Sequence, residues 1–138
     1  MPAFHRALFF FLAMTVLTVS SVSAEAQAHR RTLNKVSQLI VNSYKHLTHG
    51  NDTEAAREDC EKAQAIEEKS KDPFISATVA VCFGDVEDHE ENIAAACRHY
   101  AEALENFEAV PAKHSARQTI KTHMNVTKGK RLTLSCGA

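Results

Sequence analysis

Residues 56–63, AREDCEKA, and 96–103, ACRHYAEA, share one spacing: alanine, a second residue four positions on, and alanine three positions after that. Positions four and three apart fall on one stripe of an α-helix. A stripe carrying alanines lets a second helix backbone approach closely, so the chain is predicted to pack helix against helix. The rest of the composition agrees. Beyond the first two dozen residues the aromatics are Phe74, Phe83, Phe107, Tyr44 and Tyr100, with no Trp, and the whole chain has four Gly and three Pro. Few turn residues and β-branched residues clustered near the middle disfavour an all-β fold. The expected class is all-α.

The first residues are set apart from this. Met1 to Arg6 is basic, Ala7 to Val22 is apolar, and Ser23-Ala24-Glu25-Ala26-Gln27-Ala28 offers small residues at cleavage spacing, which is the layout of a secretory signal peptide. The apolar run falls short of the roughly 20 residues that span a bilayer. The expected organisation is a signal peptide over 1–24, a flexible segment over 25–32, one helical domain over 33–126 and a basic extended tail over 127–138. Export to the periplasm or the cell exterior follows, with no stable membrane insertion once the leader is removed.

Within the domain, Leu33, Val36, Ile40, Tyr44 and Leu47 recur at helical spacing, and Gly50 suits the left-handed turn that ends a helix. Asn51, Asp52 and Thr53 offer cap oxygens to a second helix with Ala56, Cys60, Ala63 and Ile66 on one face. Asp72-Pro73 opens a third, since proline loses nothing at the first helical position. The apolar run from Phe74 to Phe83 reads as a buried helix or a buried strand; its length and start signal favour the helix. Asp88 through Glu91 has the form of a cap for a fourth helix, with Ile93, Ala96, Tyr100, Ala103, Leu104 and Phe107 inward and Pro111 beyond its end. Ala116, Ile120 and Met124 fit a fifth, and the closing RLTLSCGA alternates like an extended segment.

The two alanine patterns thus lie on the second and fourth helices, each preceded by an apolar helix and a short turn. The repeating unit is a helix pair. A pair cannot bury its apolar face alone, whereas two stacked pairs share a seam and a terminal helix covers the open end. At these residues the chain resembles the tetratricopeptide repeat family, whose second helix carries the same spacing, read in Ala56, Cys60, Ala63 and in Ala96, Tyr100, Ala103. Phe83-Gly84 stands where that family has its Leu-Gly pair, and Pro73 and Pro111 fall near unit ends. The resemblance covers about residues 34–111. It departs in an offset of 40 residues where the family has 34, in the small Cys60, and in Glu87 where Tyr is usual. It implies stacked antiparallel helix pairs with a C-terminal capping helix; the alternative is a compact helical bundle.

Charge is segregated. Residues 26–51 hold four bases and no acids, 52–108 hold sixteen acids and five bases, and 113–138 hold six bases and no acids. Mutual neutralisation of ends and middle is the reading adopted here; with an export signal present, a nucleic-acid partner is not expected. Four cysteines in an exported chain predict two disulfides, and three pairings are open. A turn near His89 would set Cys82 and Cys97 at similar heights on antiparallel helices, so the favoured pairing is Cys82 with Cys97 and Cys60 with Cys136.

Chemistry leaves little trace. His46 and His49 lie one turn apart but lack a fixed carboxylate partner, and Asp85, Asp88, His89, Glu90 and Glu91 read as a capped, charged turn. The cysteines do not form the close pairs of a zinc site. No Cys-x-x-Cys-His marks covalent haem, and no nucleophile is paired with a base. Asn51-Asp52-Thr53 and Asn125-Val126-Thr127 are glycosylation acceptors in a eukaryotic host. No metal, cofactor or catalytic residue is expected. The expected function is non-enzymatic binding of a protein or peptide, with Asn42, Lys45 and Thr78 as the candidate contact surface; the alternative is a disulfide-tied bundle acting as an inhibitor or small-ligand binder.

Overall fold

A computed structural model of the chain describes residues 3–137, with side chains from 24 to 137. It is all-α. Helix α1 spans Ala3–Lys45 and runs on through one π-helical turn, His46–Gly50; α2 spans Thr53–Ser70, α3 Pro73–His89, α4 Ile93–Glu108 and α5 Arg117–Thr133. Two compact units divide at residue 34. The first, Met1–Asn34, is helical over its described residues. Residues 25–32, expected to be flexible, belong to α1, and Thr32 Oγ1 donates to Ala28 O at 3.1 Å, one turn back. Alanine, glutamine and arginine, without Gly or Pro, make that stretch a good helix former. The side chains of the predicted leader up to Ser23 lie outside the described residues. No helix among the described residues is long and apolar enough to cross a membrane.

The second unit, Lys35–Ala138, contains the core. Its helix starts follow the cap residues. Asp52 Oδ1 accepts from Ala55 N at 2.9 Å, and Asp72 Oδ1 accepts from Phe74 N at 2.8 Å with Pro73 at the first helical position. Helix ends use left-handed residues, but not the glycine expected. Asn51, Lys71, Glu91 and Ser135 have positive φ and no glycine does, so Asn51 takes the role assigned to Gly50. Asparagine tolerates this region well. The cap expected at Asp88 is also displaced, because α3 continues to His89 and α4 begins after Asn92.

From α2 to α5 successive helices run antiparallel, as paired residues show. Arg57 and Cys60 of α2 meet Glu87 and Cys82 of α3; Phe74 of α3 meets Phe107 of α4; and Phe107 and Tyr100 of α4 meet His123 and Lys130 of α5. The short turns between α2 and α3 and between α3 and α4 are those of helical hairpins. Two apolar clusters result. Ala77, Ala80, Ala103, Phe107, Val110 and Ile120 form one, and Leu47, Ala56, Cys60, Cys82 and Val86 the other. Ala56, Cys60, Ala63, Ala96, Tyr100 and Ala103 are all fully buried. Gly84 is buried opposite Tyr100, where an added Cβ would lie 2.5 Å from the ring.

Four expectations are corrected here. Tyr44 points outward, 57 % exposed, because the buried stripe of α1 runs through Val36, Ser43 and Leu47; Ser43 Oγ lies 3.3 Å from Cys60 Sγ. Ile93, at the first position of α4, is 39 % exposed. The tail expected to be extended over 127–138 is helical to Thr133: Thr127 is buried with its hydroxyl on His123 O, and Cys136 N closes the helix end on Arg131 O at 2.9 Å. Finally, the disulfides join Cys60 to Cys82 and Cys97 to Cys136. Cys82 and Cys97 lie on facing helices but on different faces. The contact between Gly84 and Tyr100 fixes the seam of α3 and α4, turning Cys82 toward α2 and Cys97 toward the end of α5. Disulfides of this kind belong to an oxidising compartment.

Candidate functional site

The residues proposed from sequence as a contact surface are not joined by any hydrogen bond or ion pair among the described residues. Asn42 Oδ1 accepts from Gln38 Nε2 at 3.2 Å on α1, Lys45 is exposed at the end of that helix, and the Thr78 hydroxyl donates back to Ile75 O of α3 at 2.9 Å. His46 and His49 turn to different neighbours: His46 Nε2 lies 3.5 Å from Asp59 Oδ2, and His49 Nδ1 lies 2.9 Å from Thr48 Oγ1.

The charged turn after α3 is divided among structural tasks. Arg57 of α2 donates to Glu87 at 3.0 Å and to Glu90 at 2.6 Å, tying two helices with one guanidinium. Asn92 Nδ2 donates to the other Glu87 oxygen at 2.7 Å, so this glutamate, placed where the resembled family has Tyr, clamps the turn between α3 and α4. His89 Nε2 meets Asn51 Oδ1 at 2.5 Å.

Asp85 is the junction of three helices. Tyr100 Oη of α4 donates to Asp85 Oδ1 at 2.7 Å, and Lys130 Nζ of α5 donates to the same oxygen while standing 5.6 Å from the Tyr100 ring centre. Burial first, and then the Asp85 carboxylate, push the Tyr100 phenol above its ordinary range, so it stays a hydrogen-bond donor. The lysine thereby fixes where α5 lies. Two turns earlier on α5, the His123 ring stacks on Phe107 with centroids 5.6 Å apart and meets Phe74 edge-on at 5.6 Å. Partial burial lowers the His123 pKa below its ordinary value, keeping the ring neutral.

Held this way, α4 and α5 leave unfilled space along their seam. One cleft of about 330 Å³ is lined by Phe107, Glu108, Arg117, Ile120, Lys121 and Met124. A second of about 330 Å³, further along α5, is lined by Leu104, Lys128, Arg131, Leu132, Cys136 and Gly137. Arg117, Lys121, Met124, Lys128 and Leu132 follow one another at four, three, four and four residues, which is one stripe of α5. Arg117 and Arg131 each donate to a backbone carbonyl, of Val110 and Gly137 respectively, whereas Lys121 and Lys128 are exposed. Leu132 is 79 % exposed, the most of any large apolar side chain described. The two clefts therefore combine apolar side chains with four bases, Arg117, Lys121, Lys128 and Arg131, against one acid, Glu108. Extending the helical periodicity past Met124 finds this stripe; taking residues 127–138 as an extended tail conceals it.

Comparison with known proteins returns no match, whether to a family model, a curated protein or a solved structure.

Proposed function

We propose that the chain is an exported, non-enzymatic helical protein that binds a protein partner, and that the partner inserts an acidic amphipathic helix along the seam of α4 and α5. The observation that carries this reading is the pair of apolar-walled clefts beneath one row of bases on α5. Such an arrangement suits a helix with leucine-type residues on one face and Glu or Asp beside them, the groove mode of peptide recognition. Charge sets orientation and association rate, and burial of apolar side chains supplies affinity. In a tetratricopeptide-like stack, which remains our preferred description of the architecture, α5 caps the final pair and its outer side is where a further helix would pack. Two disulfides and the leader-like first residues support export.

A labelled synthetic helix with Leu at positions one, four and eight and Glu between them tests this by fluorescence anisotropy. Saturable binding is expected, weakened at least about tenfold in the double variant Lys121→Glu/Lys128→Glu, a loss of about 1.4 kcal/mol or more. Equal binding of the same peptide with Lys in place of Glu, or unchanged binding by the variant, would refute it.

A further inference from the structure

A separate cleft of about 240 Å³ lies where the end of α1, the last turns of α3 and α5 meet, lined by Tyr44, Leu47, Thr48, Asp85, Asp88, His89 and Lys130. Its charges do not cancel internally. Lys130 is committed to Asp85, and Asp85 also holds the Tyr100 hydroxyl. The half-buried Asp88 carboxylate has no hydrogen bond or ion pair among the described residues, although its charge reaches Tyr100. One negative charge, that of Asp88, is therefore left over among the lining residues. Tyr44, 57 % exposed against the helical pattern that predicted it inward, lines the same cleft, and Leu47 supplies an aliphatic wall.

We propose that this cleft binds a small organic cation, an alkylammonium or guanidinium group on a short apolar body. The Asp88 carboxylate accepts hydrogen bonds from the cationic head, and charge-assisted bonds of this type are among the stronger ones available. The electron-rich face of Tyr44 attracts the same charge. The apolar body lies against Leu47. A space of about 240 Å³ equals the liquid volume of about eight water molecules, which suits a ligand of a similar number of heavy atoms. An anion is not accommodated, because the positive charge lining the cleft, on Lys130, is already paired. This site involves no residue of the α4–α5 clefts that line the proposed peptide groove, so the two proposals stand or fall separately.

The test is an NMR titration of the disulfide-bonded chain with n-butylammonium, with n-butanol as the neutral counterpart of equal shape. The expected result is saturable movement of the Thr48, Asp88 and His89 amide signals by the ammonium and not by the alcohol. Asp88→Asn should weaken binding about tenfold, and Tyr44→Ala should weaken it while thermal unfolding of the variant stays unchanged. Equal response to butanol, shifts confined to the acidic surface of α2, an unaltered affinity in Asp88→Asn, or no saturation would each overturn the proposal.

Discussion

Gly84→Ala is the sharpest probe of the packing described above. A Cβ at this position would stand 2.5 Å from Tyr100 Cε1, 2.8 Å from Cδ1 and 3.1 Å from Cζ, all distances that force movement. The ring has little freedom to give way. Tyr100 is fully buried, and its hydroxyl is anchored on Asp85, which Lys130 also holds. Overpacking of a well-filled core costs about 1–3 kcal/mol. Against this, replacing glycine by alanine within a helix gains about 0.5–1 kcal/mol. With two of the three distances below 3.0 Å, the overpacking cost falls in the upper part of its range, about 2–3 kcal/mol, and the net expectation is a destabilisation of about 1–2.5 kcal/mol, which in a domain of this size lowers Tm by about 4–8 °C for each kcal/mol. Urea and thermal unfolding of the oxidised chain measure it, with Tyr100→Leu and the double variant completing a cycle. Because leucine removes the ring that clashes, Gly84→Ala should cost at least about 1 kcal/mol less in the Tyr100→Leu background. A neutral or stabilising Gly84→Ala in the parent chain, or two additive single changes, would refute the close contact between α3 and α4.

Two further expectations concern the covalent ties and pH. Peptide mapping without reductant should recover Cys60 linked to Cys82 and Cys97 linked to Cys136, with sequence separations of 22 and 39; Cys97→Ser/Cys136→Ser should lose about 4 kcal/mol and Cys60→Ser/Cys82→Ser slightly less, on the loop-entropy scale. Recovery of a peptide joining Cys82 to Cys97 would contradict the fold. The His123 pKa in the folded chain lies below its ordinary value of 6.5, so the unfolded chain binds its proton more readily. Its contribution to stability is complete above about pH 6.5 and declines as pH falls from there toward the folded pKa. His123→Phe, which keeps a ring between Phe74 and Phe107, should flatten that part of the stability curve; an unchanged slope in urea midpoints between pH 7 and pH 5 would argue against a ring held neutral by its partial burial between them.

Much of this molecule was legible in the residues alone. Cap oxygens at Asp52 and Asp72, proline at position 73 and the alanine stripes at 56–63 and 96–103 act within a few residues of themselves, so local chemistry fixed the helices and their buried faces. What the chain could not announce depended on which faces meet. The pairing of four cysteines turned on a rotation of α4 set by Tyr100 against Gly84. The outward turn of Tyr44 followed from Ser43 fitting beside Cys60. The helical course of residues 127–133 required Lys130 to find Asp85, 45 positions earlier. Both candidate sites are products of such meetings: the row of bases on α5 becomes a groove only beside Leu104 and Phe107 of α4, and Asp88 becomes an unpaired charge in a cleft only because Lys130 has gone to its neighbour. Periodicity along one helix assigns its inner and outer sides, but contacts between residues far apart in sequence decide what those sides enclose.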